Sequence, residues 1–141
     1  MSMLFTRSAR GAALGLLVLR VVVGVIFIAH GSQKLFTFGL AGITGGFEQM
    51  GVPMAAVAAP LVTFVELISG IALILGLLTP VAAGLLAIDM LGAILFVHGK
   101  NGLFLPNGYE FALTLFAASV ALLLAGPGTA AVDNVLANRR R

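Results

Sequence analysis

MAAVAAPLVTFVELISGIALILGLL, residues 54–78, is the stretch that decides how this chain is read. It holds one ionisable side chain, Glu66, among residues that are otherwise almost all apolar. As a helix rising 1.5 Å per residue it extends about 37 Å, enough to cross a hydrocarbon core about 30 Å thick. Pro60 removes one backbone donor and predicts either a kink or the true start of the helix. The stretch runs out into Gly76-Leu77-Leu78-Thr79-Pro80, where glycine stops the helix, Thr79 is the expected N-cap, and Pro80 takes the first position of the next helix. So short a link folds the next apolar run back antiparallel to this one.

Three more runs share this character: 11–36, 80–97 and 109–125. The last is the shortest, at the lower limit of about 17 residues for a span. The chain of 141 residues is 60% hydrophobic and 9% charged, with a mean hydropathy of +1.15. A soluble domain of this size needs a charged exterior that this composition does not supply. The expected fold is therefore all-α: one domain over 1–141, a four-transmembrane-helix bundle of antiparallel up-down order. Gly39–Pro53 is rich in glycine and too polar to span, and it is expected to lie at the interface with Ile43, Phe47 and Met50. Gly99–Gly108 reads as a loop turning at Pro106-Asn107-Gly108.

Charge sets direction and excludes partners. Arg7, Arg10, Arg139, Arg140 and Arg141 flank the bundle at its tails, against Lys34 and Lys100 on the opposite loops. The positive-inside rule then places both termini in the cytoplasm, and an even number of spans agrees. The two arginines before the first run resemble a signal peptide, but its length and Arg20 make it a retained helix. The basic residues carry no aromatic platform, so nucleic acid is not an expected partner; the bilayer is. The absence of cysteine excludes disulfides, thiolate metal sites and dithiol chemistry carried by this chain.

Ionisable residues inside apolar spans cost roughly 2.5–3.5 kcal/mol each at mid-membrane, so Arg20, Glu66 and Asp89 mark places where the spans face one another. Arg20 and Asp89 lie about 14 Å above the tail-side boundary and Glu66 about 19 Å, so the three are expected to meet in one buried polar centre. Thr63, Ser69 and Gly70 beside Glu66, Gly92 and Ala93 after Asp89, and Gly24 after Arg20 let helices approach there. One cation facing two carboxyls favours a shared proton. The centre is either a proton-exchanging or ligand-binding site, or buried glue that fixes register.

A second layer is expected about 27–29 Å above the same boundary, where His30, Lys34, His98, Tyr109 and Glu110 form a candidate outer-face ligand or proton-exchange site. The same residue types also anchor spans at membrane interfaces. No short metal-binding motif is present, and no metal site is assigned. Gly11 and Gly15 form a GxxxG pair, a dimer contact or ordinary close packing.

Several of these pieces resemble a known family. Leu19-Arg20, Gly24, Phe27, His30-Gly31 and Lys34-Leu35-Phe36 are similar to the opening signature of the DoxX family of bacterial integral membrane proteins. Gly51-Val52-Pro53, then Glu66, Gly70 and Gly76-Leu77-Leu78-Thr79, resemble its second-helix region. Gly108-Tyr109-Glu110 and Gly126-Pro127-Gly128 with Asp133 resemble its C-terminal part, and the chain departs from it at Thr129 and Ala131. The resemblance implies a compact four-helix bundle in the bacterial inner membrane. It also implies a membrane subunit of a quinone-linked or oxidative-stress-related redox complex, with quinone as ligand and partner proteins carrying the redox centre. The alternatives are a non-catalytic anchor or scaffold, or a small transporter acting as a homo-oligomer.

Overall fold

The computed structural model describes residues 8–141, and over these the chain is helical with no strand. Arg7 lies outside the described residues. Helix α1 (Ala9–Ser32) is capped by the Ser8 hydroxyl, which accepts from the Gly11 amide at 3.1 Å. It widens into a π-helical turn over Gln33–Phe38, and the chain then bends at Gly39, φ +73°, into α2 (Gly39–Gln49). The segment expected at the interface is thus a helix, packed against α3 (Ala55–Leu75). Helix α4 (Thr79–Ala93) ends in a second π-helical turn, Ile94–His98, and a 3₁₀ turn, Gly99–Asn101. Helix α5 (Glu110–Ala125) and the short α6 (Val132–Asn138) complete the chain.

Among the described residues, three helical stretches are long and apolar enough to cross a membrane: the run from Ala9 to Gln49, Ala55–Leu75, and Thr79–Asn101. Helix α5, with 16 residues, is apolar but shorter. The long helices pack in the cyclic order α1–α3–α4–α5, with α5 returning to α1. Their surfaces are inverted relative to a water-soluble bundle. On α3 the exposed row is Val57, Leu61, Phe64, Ile68, Ile71 and Leu75, whereas the buried row includes Thr63, Glu66, Ser69 and Gly70. Lipid makes this arrangement favourable, because apolar side chains lose nothing by facing acyl tails and polar ones gain partners by facing each other.

Glycine fixes the main contact. A Cβ on Gly24 would stand 2.8 Å from the Gly70 carbonyl oxygen, and a Cβ on Gly70 would stand 2.9 Å from the Gly24 carbonyl oxygen. Backbone therefore meets backbone where antiparallel α1 and α3 cross. Phe27, Leu73, Leu86, Leu115 and Leu122 fill the core beside this crossing.

The hairpin between α3 and α4 differs from its sequence reading in one respect. Gly76 stops α3 at φ +67°, as expected, but Thr79 is the first helical residue rather than the cap, and its Oγ1 has no hydrogen-bond partner. Asp133 takes the capping role from 54 residues away. Its carboxylate accepts from the Leu78 amide at 2.7 Å and the Thr79 amide at 2.9 Å, at the positive end of the α4 dipole.

Candidate functional site: a cavity between helices α3, α4 and α5

The structure separates the residues expected to share one polar centre. Arg20, 0% exposed, makes no contact with Glu66 or Asp89. Its Nε donates to the Pro127 carbonyl at 3.0 Å, Nη1 to those of Leu73 and Ile74 at 2.8 and 2.9 Å, and Nη2 to those of Thr129 and Ala130 at 3.0 and 3.1 Å. All five guanidinium N–H groups are thus used on backbone carbonyls. Leu73 and Ile74 belong to the last turn of α3, where the dipole favours a cation; the Leu73 carbonyl also accepts from the Gly76 amide at 3.1 Å. A Cβ on Gly76 would stand 2.5 Å from Nη1, so this glycine makes room for the guanidinium as well as ending the helix.

The reason lies in side-chain direction. Helical side chains lean toward the N-terminus of their own helix. Arg20 on α1 therefore leans toward the tails, while Glu66 on antiparallel α3 leans the other way, and they diverge. Lys34, on the π-helical turn that continues α1, leans back into the bundle and converges on Glu66. Its Nζ donates to Glu66 Oε2 at 2.7 Å and Oε1 at 3.0 Å, with the two side chains 19% and 3% exposed. Asp89 of α4 lies beside Glu66, and its Oδ2 is buried without a hydrogen-bond partner.

These groups border a cavity of about 470 Å³, within the usual range for small-molecule sites. Its wall is mostly apolar, with Lys34, Glu66, Asp89, His30 and His98 as the polar groups. The His30 ring packs against Phe111, centroids 5.7 Å apart and planes inclined by 37°. His98 Nδ1 lies 3.2 Å from the Asn107 carbonyl oxygen, a contact in which Nδ1–H donates. The two polar layers expected from sequence are therefore one site, made of Glu66 and Asp89 from the inner layer and His30, Lys34 and His98 from the outer. Lys34 and His98 each sit on a π-helical turn, where the wider backbone redirects side chains and which recurs at functional sites.

Tyr109 and Glu110 are not part of this wall. Glu110 Oε1 accepts from the Leu105 amide at 2.8 Å, and the Tyr109 and Glu110 amides donate to the carbonyls of Gly102 and Leu103, each at 2.9 Å. They close the α4–α5 loop on itself. Phe111 was not singled out by sequence, and its place one residue inside α5, after the charged Glu110, was the available signal. Among the described residues, no three histidine, aspartate or glutamate side chains converge on a metal-sized site.

Comparison with known proteins adds the following. The chain matches the DoxX family over residues 15–99. It is 40% identical over 120 residues to an uncharacterised protein of Haemophilus influenzae, covering 82% of this chain and 86% of that one. A Bacillus subtilis protein, CatD, whose name provisionally labels it an oxidoreductase, is 35% identical over 120 residues, covering 85% of each chain. The inner membrane protein YqjF of Escherichia coli is 34% identical over 128 residues, covering 86% of this chain and 92% of that one. No solved structure matches. With apolar helices long enough to span, an outward-facing apolar surface and a match that covers most of its length, the chain is a multi-pass membrane protein and belongs to the DoxX family.

Proposed function

We propose that this protein is the membrane subunit of a redox complex and binds a quinone-type molecule in the cavity beside Lys34, Glu66 and Asp89. The observation that carries the reading is one of composition in space: a largely apolar cavity with an ion pair, a further carboxyl and two histidines gathered on its wall. A planar ring with polar oxygens fits such a lining. Lys34 spends two N–H groups on Glu66 and keeps a third for an oxygen acceptor. Glu66 and Asp89 facing one ammonium offer a place to hold a proton beside the ligand. His98 keeps Nε2 free as a hydrogen-bond acceptor when Nδ1 donates to Asn107. A bound quinone supplies acceptance of two electrons and two protons. The chain has no cysteine, so thiol redox chemistry in such a complex belongs to partner proteins.

In this reading α1, α3, α4 and α5 make four crossings of a bacterial inner membrane, with both tails cytoplasmic. The name of the inner-membrane relative and the provisional oxidoreductase label of CatD support it. Purification in mild detergent, followed by mass spectrometry of extracted small molecules and of co-purifying proteins, tests it. The expected result is near-stoichiometric quinone that is lost in Lys34→Met and Asp89→Asn. Absence of quinone, of a redox partner and of quinone reduction would overturn it.

A further inference from the structure

The walls of the cavity are not all interior. Leu61 on α3, Leu85 and Ile88 on α4, and Phe96 on the π-helical turn after it line it, yet these side chains are 59%, 43%, 69% and 46% exposed. In this protein an exposed apolar side chain on the middle of a long helix faces acyl chains. The same four residues therefore have the cavity on one side and lipid on the other. Helix geometry explains the gap. Only Gly76–Leu78 join α3 to α4, but α3 packs more extensively on α1 than on α4. The Gly24–Gly70 crossing draws α3 toward α1, and the cavity occupies the part of α3 remote from the link, from Ala58 to Glu66, and the far half of α4 with its π-helical turn, from Leu85 to His98. Gly92 widens it further: a Cβ there would meet nothing within 4 Å. Phe27, Met90, Ala112, Leu115 and Glu66 form the buried inner wall, and Leu61, Leu85, Ile88 and Phe96 stand at the mouth.

We infer that this cavity is loaded sideways from the bilayer, through the cleft between α3 and α4, by a single-tailed amphiphile. Its polar head passes inward to Lys34, Glu66 and Asp89, and its hydrocarbon chain stays in the cleft between Leu61 and Ile88. The identity of the head group rests on the redox reading; the route and the tail rest on the cleft. Such a ligand never leaves a medium of low polarity, and its tail exchanges lipid neighbours for Leu61, Leu85, Ile88 and Phe96.

Three probes separate the possibilities: a benzoquinone without a side chain, the same ring bearing a decyl chain, and a redox-inert decyl dimethoxybenzene. Each is equilibrated with the full chain in lipid nanodiscs, and bound probe is quantified by mass spectrometry against empty nanodiscs. Ile88→Trp and Leu61→Trp narrow the cleft from either side, on lipid-exposed positions that the fold does not pack. Binding of the decyl quinone is expected to fall at least tenfold in both variants, while binding of the chain-less quinone changes less than twofold. Equal loss of both quinones, or no loss of either, overturns lateral loading and leaves the redox reading in place. If neither quinone binds the parent protein but the inert decyl probe does, with the same sensitivity to Ile88→Trp, the redox reading falls and lateral loading stands. If no probe binds, both fall.

Discussion

Replacing Arg20 by methionine removes a charge from the interior and leaves five carbonyl oxygens facing it. Hydrogen bonds to a charged donor contribute about 1.5–3 kcal/mol each, so the gross loss is roughly 7–15 kcal/mol. Two effects reduce it. Keeping a guanidinium away from water costs several kcal/mol, which the variant recovers. The Leu73 and Ile74 carbonyls end a helix near the tail-side boundary and can turn toward water. The net expectation is a loss of about 4–5 kcal/mol, at the upper end for a single substitution, and a shift of about a thousandfold in the folding equilibrium. Arg20→Lys offers three donors to five acceptors without the planar fork, and should lose about 2–3 kcal/mol. The assay is reversible unfolding in mixed micelles by titration with sodium dodecyl sulfate, followed by helical circular dichroism. A double variant, Arg20→Met with Glu66→Gln, should lose the sum of the single losses within about 0.5 kcal/mol, because the two residues share no partner. Retention of parent stability by Arg20→Met, or strong non-additivity with Glu66, would refute the assignment of Arg20 to the backbone carbonyls.

Other perturbations separate the remaining contacts. Glu66→Gln or Lys34→Met alone strands the opposite charge and should cost about 2–4 kcal/mol in the same titration, somewhat below a fully buried pair because Lys34 is 19% exposed; Lys34→Met with Glu66→Leu should recover most of that loss. Gly24→Leu drives a side chain into the Gly70 carbonyl and is expected to cost about 3 kcal/mol or to prevent folding, whereas Gly92→Ala, with open space before it, should be neutral or mildly stabilising by thermal melting. Asp133→Ala removes the acceptor for the Leu78 and Thr79 amides and should lower stability by about 1–2 kcal/mol without affecting quinone retention.

The helices were legible in the sequence because lipid leaves little choice. Glu66 inside a 25-residue apolar run, and the glycine ending it, give both the span and the hairpin. The membership of the site was legible only in part. Depth along a helix comes from counting residues, and it placed Arg20, Glu66 and Asp89 in one layer. Whether two side chains at similar depth touch depends on which way each leans, and antiparallel helices lean oppositely. That sent Arg20 to the tails and brought Lys34 down to Glu66. The π-helical turns at Gln33–Phe38 and Ile94–His98 carry no residue signature, so the reorientation of Lys34 and His98 could not be read. Asp133 could not be recognised as a cap for α4, since capping signals are sought next to a helix and this one comes from 54 residues beyond it.

The bonds of Arg20 to Pro127, Thr129 and Ala130 span 107 to 110 residues of chain. At a synthesis rate of about 5–20 residues per second, the first helix waits roughly 5–20 s before those acceptors exist. Throughout that interval only the Leu73 and Ile74 carbonyls of α3 become available to it, and Nε and Nη2 stay without their final acceptors. The segment that follows α5 therefore completes the seating of the first helix. A ribosome stalled before residue 127 leaves a chain whose earliest helix can make only two of the five guanidinium bonds that the finished protein holds.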